Sequence, residues 1–395
     1  AIAPIGERAL SKLPAERTEE ERGALEAAFV RSSLEAELHR EMLDGLRASL
    51  AAIDVPSVPV MRELPSDRRR TTRIHLRGSF LTQGDEVSAA VPACWPQLPA
   101  GKSADRLAFA EWLCSRDNPR TARVLASRAF EQLFGRGLVV SSEDFGVQGE
   151  RPSHPQLLDW LACDLMDSGW SWKALLRSLV LSANYRQSEV QSDADRERDP
   201  QNRWFARSAR RRLSAEMLRD QALCVSGLSS RTIGGKSVMP QQPDGVWGQI
   251  YSGETWRTSE GEDRHRRSLY TMWRRTSPHP TMTTFDAPSR EFCVVRRVET
   301  NTPLQALVLW NDPQFVECRD ALAARAMAEA SPSDEARVAF VVQQCLLRAP
   351  DEHELARLVQ FVRDERALLD TADRDAIAFR RLAGIVMGLD EFVTR

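Results

Sequence analysis

Apolar residues recur every three to five positions from Leu25 through Phe29, Leu34, Leu38, Met42, Leu46 and Leu50 to Ile53, with charges between them. That period predicts one amphipathic helix over residues 19–53, its stripe turned to a core. At 1.5 Å per residue it would span roughly 50 Å. Prolines within 54–65 stop it. The period then drops to two over 71–81, with Ile74, Leu76 and Phe80 on one side and Arg73, His75 and Arg77 on the other. This predicts a half-buried strand with Gly78 at a bulge. Residues 84–99 read as a loop anchored by Val87, Val91, Trp95 and Leu98.

Helical spacing returns after Ser103, which would cap a helix ending at Cys114. Asn118 and Pro119 suit the start of the next helix, and Gly135 its end. Ser153 or His154 would cap a third, ended by Gly169, and Ser171 a fourth. These form a compact bundle over 118–188 in which Trp160, Trp170 and Trp172 are core residues. Residues 189–202 are a polar connection. Ser214 caps a helix from Ala215, and 227–250, rich in Gly, Pro and Gln, is irregular. A second strand is expected over 269–275, paired with 71–81. Thr302-Pro303 and Asp312-Pro313 each start a helix, and three more follow over 335–347, 352–369 and 373–392, the middle one with a capping box from Asp351 and Glu354. The expected class is mainly α: a multi-helical globular bundle with a long N-terminal helix and a minor two- or three-stranded β element. Three parts are expected: a helical connector (1–65), a strand plus three-helix core unit (66–190) and a helical C-terminal unit packed on the same core (191–395).

The 395 residues are 42% hydrophobic and 28% charged, so the chain can bury a large core. With 54 basic against 56 acidic residues, it lacks the basic excess of a general nucleic-acid binder. No apolar run is long enough for a membrane span, and the first ten residues show no signal-peptide pattern. The seven cysteines form no C-x-x-C pair and no haem-attachment motif; most fall in apolar helical contexts, where Cys acts as a small core residue. One disulfide would be compatible with export.

Several motifs fail on inspection. Gly234-Gly235-Lys236-Ser237 has the end of a phosphate-binding loop, but Ser230 stands where its first Gly belongs. Asp144-Phe145-Gly146 matches the kinase metal triad without the rest of the kinase set. His353-Glu354 lacks the second His of a zinc protease, which Arg357 replaces. Two loops remain. Residues 141–155 carry Glu143, Asp144, Gln148, Glu150, Arg151 and His154; residues 276–301 carry His279, Asp286, Arg290, Glu291, Arg296, Arg297 and Asn301. Asp144, Glu150, His154, His279, Asp286 and Glu291 could supply acid–base or metal-binding groups if the loops met. In the competing reading they cap helix ends and tie irregular backbone to the core. Neither loop names a metal site.

The segments NPRTARVLASRAFEQLFGRGLVVSSEDFGVQGERPSHPQLLDWLA, SLVLSANYRQS, RRRLSAEMLRD and TFDAPSREFCVVRRVETNTPLQALVLWNDPQFVE resemble, in this order, the C-terminal module of planctomycete cytochrome-c-associated proteins. That module is a planctomycete-specific domain of unknown function. The resemblance runs from about Arg73 to the end and includes the closing GIVMGLDEFVTR. Lys236 is atypical beside the family's Gly-Gly turn. In that family a cytochrome-c-like module and a second uncharacterised domain commonly precede this one. The resemblance therefore implies an extracytoplasmic setting, haem only in an upstream domain rather than in this chain, and a redox or polysaccharide-related context. It brings no catalytic residues.

Three functions follow as expectations. The first, leaning away from an enzyme, is a binding or scaffold module contacting a partner domain or an acidic polysaccharide, using Arg77, Gln148, Arg151, Trp273, Arg274, Arg275, Arg290, Arg296, Arg297 and Asn301; arginine suits carboxylate and sulfate through its planar fork. The second is a polysaccharide hydrolase or lyase using the carboxylates and histidines above. The third is a redox-partner module turning Trp247, Tyr251, Trp256 and Trp273 to a haem-bearing domain.

Overall fold

The computed structural model describes residues 9–53, 55, 57–98, 101–190, 192–245 and 255–394. The chain divides into two compact units, Ala1–Ala89 and Ala90–Arg395. Among the described residues it is mainly α, with a single two-stranded antiparallel sheet.

In the smaller unit the expected long helix is two helices, α1 (Glu19–Ser32) and α2 (Leu34–Ala51). The break is at Ser33, whose backbone is extended (φ −77°, ψ 129°) and whose Oγ accepts the Ala36 N–H. Ser32 Oγ meanwhile donates back to the carbonyls of Ala28 and Phe29. Adjacent serines thus offer the backbone local alternatives that outcompete helix continuation. The apolar stripe is also not core: Phe29, Leu34, Leu38, Met42, Leu46 and Leu50 are exposed. Strand β1 (Thr72–His75) pairs with β2 (Gln83–Val87), a stretch expected to be loop, rather than with 269–275. The register slips between Arg73 and His75, and Arg77 takes a positive φ of 54° at the following turn. Ile74, Leu76 and Phe80 are exposed, so the alternation does not mark a buried face.

In the larger unit the first helix is α3 (Arg106–Leu113), capped by Asp105 rather than Ser103. Next is α4 (Thr121–Phe134), which starts two residues later than expected. Asn118 Oδ1 still accepts the N–H groups of Arg120 and Thr121, and Gly135 ends the helix at φ 81°. Helices α5 (Pro155–Asp167) and α6 (Trp172–Leu181) follow. They pack with α4 around Phe130, Phe134, Leu138, Leu161, Leu165 and Phe205. Trp160 (55% exposed) and Trp172 lie outside this core, and Trp170 packs at its margin. The polar stretch after it contains a short charged helix, α7 (Asp193–Arg198).

A second core begins with α8 (Ala215–Val225), capped by Ser214 as expected. It continues through α9 (Pro280–Thr284), α10 (Pro303–Asn311), α11 (Pro313–Glu329), α12 (Asp334–Leu346), α13 (Glu352–Leu368), α14 (Arg374–Met387) and α15 (Asp390–Val393). Phe315, Leu322, Val342, Val362, Phe379 and Phe392 fill it. Residues 269–275 are not a strand. A 3-10 turn over Ser268–Tyr270 leads to one bridge, Val238 to Thr271. Cys318 and Cys345 alone among the seven cysteines are buried, and all seven are unpaired. No helix among the described residues is long and apolar enough to cross a membrane.

Candidate functional site

The 141–155 loop is tied mainly to itself. Ser141 Oγ donates to the Asp144 carbonyl (2.7 Å) and accepts the Glu150 N–H (2.8 Å). Asp144 accepts the Gly146 N–H, and buried Ser142 donates to the carboxylate of Glu131. Ser153 anchors the far end on the Leu138 carbonyl (2.8 Å). His154 Nδ1 lies 3.0 Å from Ser153 Oγ, and its ring sits against Phe205. Arg120, stacked over Trp95, donates to the Phe145 carbonyl. Glu150 is an exposed carboxylate 3.7 Å from Arg203, and Gln148 and Arg151 are exposed.

The 276–301 segment is pinned at more points. Asp286, at φ 62°, accepts the Thr300 N–H (2.8 Å) and hydroxyl, and the Gln305 amide (3.3 Å). Trp273 donates to the Ser289 carbonyl (3.0 Å) and carries the Arg290 guanidinium over its ring. Arg297 forks onto Glu216 at 2.6 and 3.1 Å. Asn301 accepts from Arg212 (2.8 Å). Glu291 and Arg275 are exposed, and Arg274 is engaged rather than free. Arg77 belongs to the smaller unit and is exposed there.

The two loops approach at their rims. Arg296 lies 3.8 Å from Glu143, and Arg211 joins the Glu131 and Gln132 carbonyls at the end of α4 to Glu299 (2.9 Å). No two of Asp144, Glu150, His154, His279, Asp286 and Glu291 bond to each other among the described residues, and no group of three metal-binding side chains forms among them.

His279 stands apart, 1% exposed at the start of α9. Its Nε2 lies 3.1 Å from the Gln241 carbonyl, an acceptor, so Nε2 carries the proton. Burial pushes its pKa down from 6.5 to about 4; the Gln241 bond opposes this, and the nearby Arg219 charge adds to it. Nδ1 has no hydrogen-bond partner among the described residues. The ring meets Trp256 edge-on at 5.6 Å. Trp256 and Gln242 in turn line an open cavity of about 230 Å³ with Asp244, Thr255 and Thr258.

The sequence reading missed a buried polar group centred on Arg219. Arg219 is 1% exposed and donates to Gln314 Oε1 (2.6 Å), the Arg266 carbonyl (2.8 Å), Ser268 Oγ and the Arg264 carbonyl. Burial lowers its pKa to about 10. Asp312 accepts from the Thr281 hydroxyl (2.6 Å) and the Gln314 N–H, yet burial raises its pKa. Arg266 stacks on Tyr270 and donates to the carbonyls of Thr232, Gly234 and Lys236. Carbonyls of the Gly234-Gly235 turn therefore face a cation, the reverse of a phosphate cradle. One signal for this group was readable: Arg219 lies four residues after Ala215 and three before Ala222, on the apolar face of α8.

A family model described as PSD1, a protein of unknown function (DUF1553), matches residues 105–362. No curated protein and no solved structure matches the chain.

Proposed function

The chain belongs to the PSD1 (DUF1553) family, and on that footing we propose that it is a binding or scaffold module that docks a folded partner domain. One observation carries this reading. Arg290, Arg296 and Arg297 are engaged by Trp273, Glu143 and Glu216, while Phe292 (68% exposed), Val294 and Val295 between them and Val298 (74% exposed) just after them face solvent. An anion-binding groove would leave the guanidinium groups open and keep apolar side chains out. Exposed apolar side chains beside arginines that are already engaged instead suit a protein surface with an apolar centre. Leu304 and Leu307 on α10 are exposed as well. A partner domain is therefore favoured over acidic polysaccharide. Of the aromatic residues in the redox reading, Trp247 and Tyr251 lie outside the described residues, and Trp273 bonds within its own loop.

By the sequence resemblance, the partner is the cytochrome-c-like module of planctomycete cytochrome-c-associated proteins, in an extracytoplasmic setting. Titration of that purified module into the whole chain is the test. The expected result is saturable binding, weakened at least about tenfold by the pair Phe292→Asp and Val298→Asp. Absence of binding by the parent chain, or equal binding by the pair variant, would sink the proposal.

A further inference from the structure

The exposed apolar segment lacks any fastening of its own backbone. Residues 291–299 are exposed throughout, and no backbone N–H or C=O of 292–299 makes a hydrogen bond among the described residues. Without helix or ladder bonds, nothing in the main chain holds one conformation against chain entropy. The two ends are fixed. Trp273 donates to the Ser289 carbonyl before the segment, and Asp286 accepts the Thr300 N–H and hydroxyl after it.

Between those ends the fastening is by charge. Arg296 lies 3.8 Å from Glu143 of the 141–155 loop. Its neighbour Arg297 bonds both carboxylate oxygens of Glu216 on α8, at 2.6 and 3.1 Å. Glu299 accepts from Arg211 (2.9 Å), whose guanidinium also binds the Glu131 and Gln132 carbonyls at the end of α4. Arg296, Arg297 and Glu299 thus reach three different elements. The pairs differ in strength. Both partners of Arg296–Glu143 are more than half exposed, whereas the Glu216 side chain is 24% exposed. Burial opposes the Glu216 charge, yet the Arg297 bonds keep its pKa below the usual carboxylate value. The Arg297–Glu216 fork is therefore the firm fastening and Arg296–Glu143 the loose one. Apolar packing adds little, because Phe292, Val294, Val295 and Val298 face solvent.

We propose that residues 292–299 are a strap fastened by these three charge pairs, whose fastened form presents the partner-docking side chains and whose release regulates docking. Salt that screens the pairs opens the strap, Arg296–Glu143 yielding first and Arg297–Glu216 last. Apolar contact by itself is not weakened by screening; docking through a charge-fastened strap is. The regulatory role rests on the docking reading above, and the fastening does not.

The test is carbon-13 NMR of valine methyl groups in the whole chain, with the three signals assigned by loss in Val294→Ile, Val295→Ile and Val298→Ile. At roughly 0.05 M sodium chloride these methyls should be dispersed and restricted in motion. Near 1 M, where the screening length is about 3 Å, they should take the shifts of a mobile chain. At the lower salt Glu216→Gln should raise the open population about tenfold, and Glu143→Gln only about twofold. Neither carboxylate belongs to a hydrophobic core, so both variants should melt within about 2 °C of the parent. Affinity for the cytochrome-c-like module should fall in proportion to the fraction of chains fastened. Mobile valine methyls in the parent at low salt, methyls unmoved by salt, or equal responses to Glu143→Gln and Glu216→Gln overturn the strap. Docking whose affinity ignores the fraction fastened overturns its regulatory role. If the strap fastens as expected but the module does not bind, the docking reading falls and the regulatory role with it, while the fastened strap stands.

Discussion

At the scale of single residues, buried polar side chains account for most of the chemistry this chain holds. His279 sets a pH dependence with a definite sign. Its pKa is about 4 in the folded protein and 6.5 ordinarily, so between those values only the unfolded chain takes up the proton. Stability should fall by about 1.4 kcal/mol for each pH unit below 6.5. Urea unfolding of parent and His279→Gln from pH 7 to 4 checks this; parallel pH profiles would remove His279 as the cause. Arg219 makes a different prediction. Arg219→Met orphans the Arg264 and Arg266 carbonyls and the Gln314 amide oxygen, and should cost about 3 kcal/mol. A loss under about 1 kcal/mol in the same urea measurement would show that water replaces those bonds. Gly149 is needed for close approach: a Cβ there would fall 2.0 Å from the Asp144 carbonyl oxygen. Gly149→Ala should open the 141–155 loop, seen as faster amide exchange at Glu150, whose N–H bonds Ser141.

Among the elements, several helix starts were legible where a cap and an apolar stripe agreed, although Asp105 rather than Ser103 caps α3. Ser171, Ser214 and Asp351 each accept the N–H three residues on, and Thr302 with Gln305 closes a capping box. Ser214→Ala should therefore cost about 1 kcal/mol in thermal unfolding, and an unchanged melting temperature would show that tertiary packing alone starts α8. The reading failed where period and burial parted company. Residues 19–53 keep an apolar period across Ser33, but the period says nothing of a backbone that two serines divert. The alternation in 71–81 held for four residues of strand, and its partner proved to be the adjacent 83–87, since a local hairpin closes a shorter loop than a distant pairing. Asp286 was readable as a polar loop residue, but its role of holding Thr300 across fourteen positions was not. Sequence neighbours carry no information about that closure.

Across the whole molecule, burial is uneven. Both hydrophobic cores lie in Ala90–Arg395, and of the described residues in Ala1–Ala89 only Ala9 is a buried apolar one. A chain beginning at Ala90 should thus melt within about 2 °C of the full chain by calorimetry; a larger drop would mean that the first unit stabilises the second. The mainly-α class, most helices of both cores and the membership of a family of unknown function were readable from the sequence, because helical period, caps and long ordered motifs are local properties of the chain; α9 was not, because it lies in a stretch read as loop. Which polar residues share a site was decided only by the tertiary structure. His279 meets Trp256 and the Gln241 carbonyl from separate segments, and Arg219 joins α8 to the 264–268 stretch and to Gln314. Hydrogen-bond demand inside a core is met by whichever group the packing brings near, and one-dimensional spacing does not encode that proximity.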